Sequence, residues 1–262
     1  MPTFSRRADV HAVLTDPRFT VPPVPGDAPP GTIGWLRANV ARFSTGPDHR
    51  RRRALAVTEL ERVDVADLRH AAARRTAALP HEHVEAVARR VPVEVLAGAL
   101  GVPGAAARDV ATVARAYHPH SPAGPEADAA LARLVGACGG TADELTAARI
   151  GLLVQTWDAT ARLVATAGTA VSAVSTASGV PAEAAVAHAL ADDPPVRVTR
   201  RHARDAARVG GSAVAAGSVV ELDLADADLG FGAGAHECPG QAHAVALACG
   251  VLDPLAIRKD LR

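Results

Sequence analysis

The sequence has few aromatic residues: two Trp, one Tyr and four Phe make up 3% of its 262 residues, with a single Met. An interior of stacked rings is thereby excluded. Alanine and valine must fill the core, which suits helices packed closely through small side chains. Cysteine is scarce as well. Cys138, Cys238 and Cys249 are widely spaced and odd in number, which argues against a disulfide framework and for a reducing compartment. Neither charge sign is in excess, with 28 Lys+Arg against 28 Asp+Glu. The chain therefore lacks the electrostatic footprint of a nucleic-acid or acidic-membrane partner. No apolar run approaches the ~20 residues of a membrane span, and the opening Met-Pro-Thr-Phe-Ser-Arg-Arg has no signal-peptide core. The expectation is a soluble, cytoplasmic protein, read as one domain over 1–262 without internal repeat or clear linker.

Against that plain background one stretch stands out, Phe231-Gly-Ala-Gly-Ala-His-Glu-Cys-Pro-Gly240. Gly232 and Gly234 permit tight turns at positive φ and close approach of the backbone to a flat ligand. Cys238 precedes Pro239 and Gly240 at the start of an apolar helical segment. The free N–H groups there favour a thiolate, which serves as nucleophile or metal ligand. No base or second cysteine stands at the spacing of a catalytic Cys motif, which favours the ligand. Two other readings stay open on the residues alone. A lone cysteine in an apolar chain is most often a small buried hydrophobe. His236, Cys238, His243 and Cys249 also offer zinc donors, although their spacing matches no usual framework.

The pattern Phe-Gly-x-Gly-x-His-x-Cys-x-Gly resembles the haem-ligand loop of cytochromes P-450, with all six specified residues present: Phe231, Gly232, Gly234, His236, Cys238 and Gly240. The resemblance implies haem b (iron protoporphyrin IX) with the Cys238 thiolate as iron ligand, and His236 on a haem propionate. It extends upstream to Pro47-Asp-His-Arg-Arg-Arg-Arg-Ala-Leu, where the family's Pro-x-His-x-x-x-Arg assigns His49 and Arg53 to a propionate. Helical spacing puts both on one face. Arg50, Arg51 and Arg52 are read as surface. Arg201 is the candidate for the other propionate, on a strand.

The longest helical pattern runs from Thr141 to about Ala167, with Thr141 and Glu144 spaced as a capping box. It resembles the family's central helix, whose acid–alcohol pair relays protons. Here the window reads Gln155-Thr-Trp-Asp-Ala-Thr160: the acid is present as Asp158, but Ala159 takes the alcohol's place and Thr160 or Thr156 must substitute. Trp157 suits a pocket wall or the core equally. The family's Glu-x-x-Arg is missing before Asp193-Pro-Pro, where His188 and Ala191 stand instead. Ser212 to Leu224 reads as a hairpin turning at Ala216-Gly217. His81 and His83 form a His-x-His pair whose members would point apart on a helix.

The expectation is a mostly helical α+β, P-450-like fold with small hairpins, shortened at both ends, in the lid and in the meander. The implied activity is that of a haem-thiolate oxidoreductase, a monooxygenase or a peroxide-using oxidase. Its substrate would be a small organic molecule, in specialised metabolism, with a ferredoxin-type redox partner or a partner enzyme. The alternatives are a non-catalytic helper that stabilises a partner enzyme, and a haem sensor.

Overall fold

The computed structural model describes residues 1–79, 83–173 and 180–259; His81 lies outside them, so the His-x-His pair is left there. Helix α1 (Arg7–Thr15) buries Val10, Val13 and Leu14 on one face and stops at Asp16, where Pro17 disfavours a further helical turn. After α2 (Ile33–Asn39) and a short 3-10 turn (Ala41–Phe43) comes α3 (Gly46–Glu61), followed by α4 (Val65–Ala77), α5 (Val84–Ala99), α6 (Ala107–Tyr117) and α7 (Pro125–Ala137). The centre is α8 (Glu144–Ala173); α9 (Ala182–Asp192) and the C-terminal α10 (Gln241–Lys259) pack against it. Ile150, Leu153, Leu163 and Val164 of α8 are fully buried in a helical core built mainly of Ala, Val and Leu.

Four strands form a mixed sheet in the order β1 (Thr3–Phe4), β6 (Val219–Asp223), β3 (Val198–Ala203), β2 (Phe19–Thr20). β1 runs parallel to β6, whereas β3 is antiparallel to both β6 and β2, with Arg201 opposite Val220. This sheet and α1 enclose a second, smaller apolar cluster around Phe4, Val10, Leu222 and Leu224. The mostly helical α+β expectation holds.

Three local expectations are corrected. The hairpin is β4 (Ala207–Val209) with β5 (Ser212–Val214), turning at Gly210-Gly211. Both glycines have positive φ, the geometry of the turn that matches strand twist. β6 instead joins the larger sheet. The cap of α8 is Asp143, whose carboxylate accepts from Thr146 N–H at 2.8 Å. Glu144 is thus free to bind Arg51 and Arg52 of α3, at 2.7 and 2.8 Å. Arg52 is consequently not a surface residue: its side chain is 13% exposed and also donates to Ser44 Oγ.

Ion pairs tie the helices where the Glu-x-x-Arg pair is absent. Buried Glu59 of α3 accepts from Arg149 of α8 at 2.6 Å. Arg69 of α4 grips Asp253 of α10 and Glu183 of α9. His188 pairs only with Asp192, on an exposed turn. The turn after α9 is held by Asp193, which accepts from Arg162 and Arg197.

Helices α4 and α10 meet at Gly250, where a Cβ would lie 2.8 Å from that of Ala72 and overlap the Arg69 carbonyl. Helix propensity alone favours alanine by ~1 kcal/mol. The overlap reverses the sign, and Gly250→Ala is expected to lower stability by about 1–3 kcal/mol in urea denaturation. A second expectation concerns acid. The hydrogen bond from Arg51, then that from Arg52, holds the Glu144 carboxyl at about 2. Its folded value lies below the unfolded one, so this stabilisation is complete above pH ~4.5 and is lost as pH falls towards 2. Glu144→Gln should flatten that part of the stability–pH curve.

Candidate haem site

The loop 231–240 is closed on itself: the N–H of Cys238 donates to the carbonyl of Phe231 at 2.8 Å. Gly232, at φ 76°, makes the turn between them. Gly234, at φ 68°, is required for a different reason than expected. A Cβ there would sit 2.8 Å from the carbonyl oxygen of Leu14, so this glycine lets the loop lie against α1 and not against a ligand. Arg53 reaches over from α3 and donates to the carbonyl of Glu237 at 2.7 Å. Gly240 then starts α10, its carbonyl accepting from Ala244 N–H.

Cys238 opens onto a cavity of ≈ 520 Å³ between the helical core and the sheet, within the usual range for a small-molecule site. Its opposite wall is one stripe of α8: Ala148, Gly151, Leu152, Gln155, Thr156, Ala159, Thr160 and Leu163. Helical spacing puts Ala159 near the centre of that stripe and Thr160 at its edge. Asp158 lies roughly 110° round the helix from the centre. It is not part of the cavity: its carboxylate is exposed and accepts from Arg89 at 3.2 Å. The assignment of Asp158 to the cavity is therefore corrected, whereas Thr160 is buried and lines it. Trp157 packs against the helical core and does not line the cavity. Cys249 lies buried in that core on α10, away from Cys238.

The rest of the lining is largely apolar, with a group of basic side chains set into it. Arg42, Arg52, Arg53, Arg200 and Arg201 face the cavity with His49, His118, His120, His236 and His243, against a single acid, Glu237. Arg52 and Arg200 have carboxylate partners in Glu144 and Glu221. Among the described residues Arg42, Arg53 and Arg201 have none. Arg201 is 7% exposed and donates only to Thr199 Oγ1 and the Arg200 carbonyl. Burial first, and Arg42 second, pull its guanidinium down to about 10. The rings of His49 and His236 stand 4.0 Å apart, and the buried Nε2 of His49 has no partner. Burial, with the charges of His49, Arg201, Arg53 and Arg42 behind it, holds His236 down at about 3. Burial also lowers His49, assisted by Arg53 and Arg50.

A buried guanidinium without an anion and an orphaned imidazole nitrogen both call for acceptors from a ligand. His49, Arg53, Arg201 and His236 stand together at that edge of the cavity, on three separate segments. Two carboxylates, such as haem propionates, match this set in charge and in donor chemistry. Cys238 departs from expectation in one respect. Burial pushes its thiol up, and the N–H of Gly240 with the charges of Arg53 and Arg42 only partly offset this. Desolvation of the thiolate outweighs the helix terminus here, and a bound cation would reverse that balance.

Arg42 and Arg52 escaped the sequence reading. Arg42 precedes α3 by four residues and carries no motif; Arg52 sits in a run of four arginines whose surface and buried members are identical as letters. If the charge of Arg201 is kept for a ligand, its removal should relieve the haem-free protein. Arg201→Leu is expected to raise the stability of that form by about 1 kcal/mol or more in urea denaturation, and a marked loss would assign Arg201 a structural role.

No family model matches the sequence, and no curated protein matches it. Solved structures do. P450BioI in complex with an acyl carrier protein ligated to hexadec-9Z-enoic acid superposes with a TM-score of 0.75 at 18% identity, covering 98% of this chain and 84% of that one. Mycobacterium smegmatis CYP164A2 with econazole bound gives 0.74 at 22%, covering 99% and 84%. CalO2 gives 0.74 at 19%, covering 97% and 82%. With a cysteine loop facing a long central helix across a cavity, this chain has the cytochrome P450 fold.

Proposed function

We propose that the chain is a haem-thiolate oxidoreductase acting on a small organic substrate, working as one haem-binding unit in the cytoplasm. The observation that carries this reading is Cys238 opening onto a cavity whose lining holds Arg201 without a carboxylate partner and His49 with its buried Nε2 unsatisfied, among the described residues. Cys238 would ligate the iron of haem b, and His49, Arg53, Arg201 and His236 would hold its propionates. Bound there, haem would supply activation of oxygen or peroxide. The chain's own contributions are otherwise positional. The Phe231–Cys238 hydrogen bond aims the sulfur, and α8 closes the opposite side with the small side chain of Ala159 at its centre. Thr160 and Thr156 are the alcohols this helix brings to the cavity, and the Thr156 hydroxyl already donates to the carbonyl of Leu152 at 2.9 Å. With Asp158 turned outward and paired with Arg89, peroxide-driven chemistry is favoured over a chemistry that needs an acid relay. Specialised metabolism, a ferredoxin-type partner and a partner enzyme belong to this reading as proposals. The complex of P450BioI with a hexadec-9Z-enoic acid ligated acyl carrier protein supports a protein partner for this fold.

The outward Asp158 also favours a second reading, a haem sensor or a helper protein that keeps the fold without turnover. One set of spectra separates them. The protein reconstituted with hemin, reduced and exposed to carbon monoxide, should show the strongly red-shifted Soret band of a thiolate-ligated carbonyl complex. Cys238→Ala should abolish that band. A colourless protein after hemin addition would exclude the enzyme and sensor readings together. A thiolate band with no oxidation of any substrate under peroxide would leave the sensor.

A further inference from the structure

The cavity holds more positive charge than two propionates neutralise. Of its five arginines, three lack a carboxylate partner: Arg53, Arg201 and Arg42. Arg53 and Arg201 belong with the His49–His236 pair; Arg42 lies near enough to act on Arg201 and His236 by its charge, but makes its own contacts elsewhere. It comes from the 3-10 turn before α3 and donates to Oε1 of Gln155 on the α8 stripe, at 3.4 Å. Its guanidinium carbon lies 5.9 Å from the ring centre of Phe43. Phe43 in turn packs against Tyr117 with tilted rings, centres 5.0 Å apart at 48°, and meets His118 edge-on at 6.4 Å. Gln155 is itself fixed, its Nε2 donating to the carbonyl of Gly151 at 2.9 Å.

This wall is built rather than loose. The segment carrying His118 is clamped by Arg37, which donates to the carbonyls of Ala116, Tyr117, His118 and Ser121 at 2.6–3.1 Å. The fork of Arg37 is taken up by backbone oxygens, and among the described residues Arg42 on this side has Gln155 as its hydrogen-bond partner and no carboxylate. The neighbouring lining is apolar: Val40, Leu96, Leu152 and Ala159. A guanidinium held by a glutamine and an aromatic ring, at the edge of an apolar space, is complementary to an amphipathic anion. The charge of Arg42 reaches Arg201 and His236 on one side and His118 on the other, so the test must separate a substrate role from a propionate role.

We propose that the substrate is a small organic carboxylate, its anionic end bound by Arg42 beside Gln155 and its apolar body lying along the α8 stripe. The proposal rests on the haem reading of the same cavity and goes beyond it by naming the substrate's charge. It is tested by calorimetric titration of hemin-loaded protein with octanoate and, separately, with octan-1-ol. Octanoate is expected to bind about tenfold or more tighter, as an ionic hydrogen bond in a partly desolvated site requires. Arg42→Gln should bring the two ligands to within about twofold of each other while leaving haem content and the carbonyl band unchanged. Equal binding of acid and alcohol by the unaltered protein overturns the proposal, and so does a preference that survives Arg42→Gln. Loss of haem in Arg42→Gln overturns it too, by making Arg42 a propionate ligand. If the protein takes up no hemin, the haem reading fails by itself. The same titrations on the haem-free chain then decide the anion site: a preference for octanoate that Arg42→Gln removes sustains it, and its absence ends it.

Discussion

Positive charge buried without its counter-ion is the constraint on which the site depends. Arg201 sits on a central strand, 7% exposed, with only a threonine hydroxyl and a backbone carbonyl for company. A fold that served only its own stability would place a carboxylate there or an apolar residue. Instead the surrounding segments bring more donors to the same edge: His49 and Arg53 from α3, and His236 from the cysteine loop. The sheet, the helix and the loop thereby bring together donors that no carboxylate among the described residues neutralises.

Carboxylates are spent elsewhere, on holding the frame. Glu59 binds Arg149 between α3 and α8, Glu144 binds Arg51 and Arg52 across the same two helices, and Asp253 and Glu183 meet on Arg69. Those pairs lock α3 to α8 and α4 to α10, and of these helices α3, α8 and α10 line the cavity. They also account for the survival of the architecture without a Glu-x-x-Arg pair before Asp193. In its place Asp193 itself, bound by Arg162 and Arg197, fastens the turn into β3 and so fixes where Arg201 stands.

Much of the site was legible because it is local. The loop Phe231 to Gly240 carries its chemistry in ten residues, and His49 with Arg53 in five, so spacing alone puts them on a turn and on one helix face. The long helical pattern from Thr141 to about Ala167 was legible for the same reason and is α8. What failed were choices between neighbours of equal local merit. Thr141 and Asp143 both cap well, and only the demand of Arg51 and Arg52 for Glu144 shows which arrangement is used. Gly217 and Gly210-Gly211 both signal turns, but the pairing of β6 with β3 and β1 leaves β5 to β4. Asp158 carries the acid in the expected window, yet Arg89 on α5 draws it to the outer face.

The sequence by itself determined the local devices: the closed cysteine loop, the His–Arg face of α3, the long α8 and the small-residue core. Each of these depends on residues within a few turns of one another, where backbone geometry leaves little choice. Tertiary structure alone decided which charges are paired. Arg51, Arg52 and Arg53 are the same letter three times, but one reaches Glu144 and Asp48 at the surface, one bridges Glu144 and Ser44, and one reaches the cysteine loop. Arg42 acquires its place only when α8 brings Gln155 across to meet it. Long side chains on successive residues diverge by ~100° around a helix, and the partners that separate them, Glu144 and the Glu237 carbonyl, lie 92 and 184 residues from Arg52 and Arg53, a relation that no reading along the chain contains.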